Sequence, residues 1–131
     1  MDVLTQLSSE HIALRDLLDP IEAAAEARES AALTERLSAA RGALTDELDT
    51  HITTEEEEVF SVVPAIMGAD LVAPFYEEHS EIRAIRDQVY ARLALGDAPF
   101  ELTLRLCDLI LAHQQREDLM LFPGVNEAIS H

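Results

Sequence analysis

The chain has no lysine, no tryptophan and only one cysteine among its 131 residues. A lone cysteine, Cys107, excludes an intrachain disulfide, so the fold has no covalent staple; next to an apolar stretch it reads as core filler rather than a reactive thiol. Nine arginines stand against 26 acidic residues, for a net charge of -17. So little positive charge argues against nucleic acid and against anionic membrane surfaces as partners. No apolar run reaches the length of a membrane span, and the N-terminus has no basic segment leading into an apolar one, so a cytoplasmic location is expected. Aromatic residues make up 5% and there are four glycines. With so few turn formers and an abundance of Ala and Leu, helix is the expected secondary structure. At 48% apolar and 27% charged residues, the chain is expected to form one globular domain over 1–131.

What is present is a phrase spoken twice. Glu10-His11-Ile-Ala-Leu-Arg15 is matched by Glu78-His79-Ser-Glu-Ile-Arg83. His51-Ile-Thr-Thr-Glu55, running on to Val59-Phe60, is matched by His113-Gln-Gln-Arg-Glu117, running on to Leu121-Phe122. Four of the five histidines and two glutamates thus take equivalent positions in two half-chains, an arrangement suited to a two-metal site.

Apolar residues at three- and four-residue steps predict four helices, over about 3–27, 31–63, 71–95 and 99–122. Asp2 is expected to cap the first. Pro64 and Gly68 should end the second, and Pro123-Gly124 the fourth. The Gly96-Asp97-Ala98-Pro99 turn should end the third, with Asp97 free to cap the next helix, and the last few residues including His131 read as a frayed tail. No stretch alternates as a strand would. The fold class expected is all-α, an up-down-up-down four-helix bundle.

The polar residues on the inward stripes carry the functional information. His11, His51, His79 and His113 each replace an apolar residue on the core face, one per helix. Glu55 and Glu117 lie one turn after a histidine on the same faces. A single histidine on such a face reads as an ordinary core residue, and one H-x-x-x-E as a surface pair. Four histidines and two carboxylates in register do not, because buried carboxylates must neutralise, pair or bind metal. Glu56, Glu57 and Glu58 rotate off the stripe and read as a solvated face. Glu10 and Glu78, about 100° from their stripes, read as surface residues before supports for the histidines. Phe60, Phe75 and Phe122 are core candidates that could also wall a metal pocket.

On these residues the chain resembles the hemerythrin-like, HHE cation-binding family over nearly its whole length. The resemblance implies a non-haem di-iron centre inside the bundle. His11 and His51 would serve one iron, His79 and His113 the other, and Glu55 and Glu117 would bridge them with an oxo or hydroxo group. The residue types suit iron, and also manganese or zinc. The oxygen-carrying hemerythrins have a fifth histidine where this chain has Arg83, and an Asp five residues after the last histidine where this chain has Glu117 at four. The pattern is closer to family members associated with iron sensing, with nitric oxide and peroxide responses, or with iron-centre repair. The expected ligand is therefore peroxide, O2 or nitric oxide, with catalase-like turnover left open. Reversible carriage or sensing, iron storage or trafficking, and a metal-free interaction bundle stand as alternatives, in a monomer or a homodimer.

Overall fold

The computed structural model describes residues 2–130, apart from the side chains of 129 and 130. Four long helical rods run antiparallel in sequence. The first is α1 (Val3–Glu26), capped by the Asp2 carboxylate, which accepts from the Thr5 amide at 2.9 Å, and continuing through Pro20. The second begins as α2 (Ser30–Ala39), passes through a π-turn at Ala43–Glu47 into α3 (Leu48–Glu55), and leaves through another at Glu56–Phe60. A short α4 (Val63–Met67) precedes the third rod, α5 (Ala69–Ala94). The fourth is α6 (Phe100–Arg116), followed by a π-turn at Glu117–Leu121 and α7 (Phe122–Ser130). Among the described residues there is no strand, and no helix is long and apolar enough to cross a membrane.

The helices are those expected, but several ends differ. Pro64 and Pro123 do not stop a helix. Pro64 takes the second position of a new one, α4, where a missing amide costs little, and Pro123 lies inside the fourth rod, which runs on from the π-turn into α7 without a break. Of the pair expected to end the second helix, Gly68, at φ +94°, makes a break and Pro64 does not. Asp97 does not cap α6; Pro99 takes that place, and the Asp97 carboxylate turns back to Arg92 at 3.5 Å. The expected frayed tail is instead helical to Ser130, and His131 lies outside the described residues.

Two apolar clusters fill the bundle. One, towards the ends joined by the 27–29 and 95–99 turns, gathers Leu18, Ile21, Leu33, Leu37, Ile52, Ile82, Leu106 and Ile110. The other gathers Leu4, Leu7, Val59, Phe60, Phe75, Leu121 and Val125. Along three rods the histidine falls where one cluster gives way to the other, His11 between Leu7 and Leu18, His79 between Phe75 and Ile82 and His113 between Ile110 and Leu121, and along the second rod Glu55 does so, between Ile52 and Val59. The polar residues therefore form a layer sealed above and below by hydrocarbon.

Candidate metal centre

All six residues singled out on the helical stripes meet in this layer. Five of them are buried, and His51 is nearly so, its side chain 11% exposed. The first-half pair, His11 and His51, has ring centroids 5.0 Å apart, and the second-half pair, His79 and His113, 4.6 Å. Glu55 reaches both pairs. One of its oxygens lies 3.1 Å from Nε2 of His11 and of His51, and the other 2.9 Å from Nε2 of His79. Glu117 repeats this from the opposite side, at 3.2 Å from His11 Nε2 and 3.0 Å from His113 Nε2. Glu55, His79, His113 and Glu117 form one nest of converging ligand atoms, and His11, His51 and Glu55 a second.

The outer face of every histidine is also occupied. His51 Nδ1 donates to Glu10 at 2.6 Å, and His113 Nδ1 to Glu78 at 2.6 Å. His79 Nδ1 donates to Glu56 at 2.9 Å, and His11 Nδ1 to Asp118 at 3.1 Å. A carboxylate only accepts, so each ring carries a proton on Nδ1, which leaves Nε2 as the nitrogen that faces inwards and can exchange its proton for a cation. The accepting carboxylates run in a cycle: the first rod serves the second, the second the third, the third the fourth, and the fourth the first. Glu10, Glu56 and Glu78, which the helical wheel placed at the surface, are thus supports of the rings, and Asp118 was missed. The signal was in the sequence, because Glu precedes His in both copies and Glu56 and Asp118 follow the stripe glutamates at matched positions.

Aromatic rings complete the enclosure. Phe60 stacks on His79 with centroids 5.0 Å apart, and Phe122 on His11 at 5.4 Å. Phe75 meets His113 edge-on at 5.8 Å. The π-turn after Glu55 begins on Glu56 and ends on Phe60, while the one at Glu117–Leu121 begins on Glu117, holds Asp118 and leads directly into Phe122.

Without a cation this layer is electrostatically awkward. Burial opposes charge on His11 and His113, but the flanking Glu117 and Glu55 carboxylates prevail and raise each ring from 6.5 to about 10. Burial works against the Glu55 charge too, yet the surrounding histidines hold it well below the usual carboxylate range, while burial and the Glu55 charge push Glu117 up. His113 Nε2 and both Glu117 oxygens are buried with no hydrogen-bond partner. Buried carboxylate oxygens and ring nitrogens that converge without hydrogen-bond geometry call for a positive ion in place of the ring protons. The spacing agrees, since two ligand atoms each about 2.1 Å from one metal and at right angles stand about 3 Å apart. The donor set therefore fits cations.

The hemerythrin HHE cation-binding domain model matches residues 2–125. The chain belongs to the hemerythrin HHE cation-binding family. Neither the curated proteins nor the solved structures provide a match. Membership makes this a metal-binding hemerythrin-like domain, and the His/Glu layer is the cluster in it suited to metal. The arginines near the centre take no place in it. Arg83 points to Asp49, with Nε 3.5 Å from its carboxylate, and so leaves the hemerythrin-like centre with two histidines in each half. Arg86 is buried, donating to Asp49 at 2.7 Å and to the Leu44 carbonyl at 3.2 Å.

Proposed function

We propose that this hemerythrin-like domain holds two iron ions, one on His11 and His51 and one on His79 and His113. Glu55 and Glu117 are shared between them, and an oxo or hydroxo group bridges the pair. The observation that carries this reading is the division of the Glu55 carboxylate, one oxygen to each histidine pair. In a dry layer two anionic carboxylates offset part of the charge of two cations, and neutral imidazoles supply the remaining protein donors. Bound iron supplies redox chemistry towards a small ligand, for which we propose peroxide, O2 or nitric oxide, in an oxidative or nitrosative stress response.

The protein's own groups set the conditions for that chemistry. Glu10, Glu56, Glu78 and Asp118 hold the four rings in the Nδ1–H tautomer and make Nε2 a stronger donor. Phe60, Phe75 and Phe122 keep water from three of the rings. With Arg83 held on Asp49, no fifth nitrogen saturates one half, which favours reaction over simple carriage. The test is the iron content of the purified protein, with near-ultraviolet spectra before and after peroxide, O2 and nitric oxide. Two irons per chain and a changed spectrum are expected. A protein without iron, or an iron centre inert to all three, would overturn the proposal, and a change that reverses when the gas is removed would make the domain a store or sensor.

A further inference from the structure

The two half-chains are alike at the centre and unlike just outside it. A cavity of about 450 Å3 lies between α1 and the second rod and extends inwards to Glu10, His51 and Thr54. Its mouth carries Asp46 and Glu47, its walls include Ala13 and Ala43, and no arginine lines it. The second half has the same framework with these positions filled. Ala13 corresponds to Glu81 (as His11 to His79), and Ala43 and Thr54 to Arg105 and Arg116 (as His51 to His113). Arg105 donates to Glu81 at 3.1 Å, and Arg116 donates to Glu78. Two ion pairs therefore stand where the first half is open. The backbone departs from symmetry at the same place, with a π-turn at Ala43–Glu47 and regular α-helix at the matched stretch 105–109.

Exposure follows the same division. The His51 side chain is 11% exposed and its partner Glu10 40%, against 5% for His113 and 20% for Glu78. The charge pattern selects what can use the opening. A small cation meets Asp46, Glu47 and Glu10 in succession on a chain of net charge -17, while two guanidinium groups guard the other flank. We propose that divalent cations load the centre through the cavity at His51, with Thr54 as the residue that keeps this route open and Arg116 as the bar across its counterpart.

This inference rests on the metal-centre reading, and the experiment separates the two. The full metal-free chain is mixed with cobalt(II) alone. Visible absorption gives the loading rate, and metal analysis gives the final cobalt per chain. Thr54→Arg installs the residue that closes the other half. It should slow loading about tenfold or more, the scale of electrostatic steering into a charged cleft, without lowering final cobalt content. Adding Arg116→Thr should restore fast loading by opening the second flank. Glu47→Arg, at the exposed mouth, reverses charge without touching the core and should slow loading several-fold, with a weakened dependence on salt. Unchanged rates in both Thr54→Arg and Glu47→Arg overturn the route while leaving the metal centre standing. A fall in final cobalt with an unchanged rate does the same, by placing Thr54 among the binding groups. A wild-type chain that takes up no cobalt removes the centre, and the route with it.

Discussion

Changing Glu10 or Glu78 to glutamine keeps the shape of the support behind a histidine and removes its charge. In each case a charge-assisted hydrogen bond of about 1.5–3 kcal/mol becomes a neutral one of about 0.5–1.5 kcal/mol. The difference of about 1–1.5 kcal/mol corresponds to roughly tenfold in metal affinity. The structure makes the two changes unequal. Glu10 is 40% exposed and has no arginine beside it, so water replaces part of what is lost and Glu10→Gln should cost about tenfold. Glu78 is 20% exposed and also accepts from Arg116. Its loss weakens the hold on His113 and leaves a guanidinium unpaired beside the centre, so Glu78→Gln should cost closer to about a hundredfold. Competition against a coloured chelator gives both affinities, and the melting temperature of the metal-free variants reports whether the fold survives. Equal losses, or a larger one for Glu10→Gln, would refute the argument that Arg116 distinguishes the two halves.

Three further outcomes follow from the same geometry. Phe60 is fully buried against His79, Phe75 and Tyr76, so Phe60→Ala should destabilise the metal-free fold by about 3–5 kcal/mol in denaturant titrations. His11 and His113 titrate near 10 in the metal-free fold against 6.5 when unfolded, so the stability they contribute is complete below about pH 6.5 and is lost as pH rises through about 10. Cations displace those protons, so metal affinity should rise over the same interval while the metal-free melting temperature falls; parallel trends would contradict the assignment. Burial pushes the Cys107 thiol up to about 12, so a thiol reagent at pH 8 should react with it only after denaturant is added.

The bundle was legible because helical period and apolar content agree along every rod. The six stripe residues were legible because a histidine or glutamate on such a face is out of place. What escaped the reading has a common cause. A wheel drawn on one helix places Glu10, Glu56, Glu78 and Asp118 about 100° from the stripe, and in isolation that is the outside of the helix. In a bundle the same direction points to the neighbouring rod, where a histidine stands. The π-turns at Glu56–Phe60 and Glu117–Leu121 change the local period as well, which no 3.6-residue pattern anticipates. Pro64 misled as a stop because proline suits the start of a helix as well as its end, and Pro123 because the fourth rod runs on through it after a π-turn.

The cycle of carboxylates behind the histidines has a mechanical meaning apart from any metal. Hydrocarbon contacts such as those of Leu18, Leu37 and Ile110 are non-directional, and a rod of leucines sliding past its neighbour meets much the same surface one turn on, about 5.4 Å away. A hydrogen bond from a ring nitrogen to a carboxylate tolerates no such step. Because the cycle closes, no rod can slip alone without breaking two of these bonds, the one it gives and the one it receives. The centre is in this sense the vernier of the bundle, the one level at which the four helices can be read against each other in a single alignment.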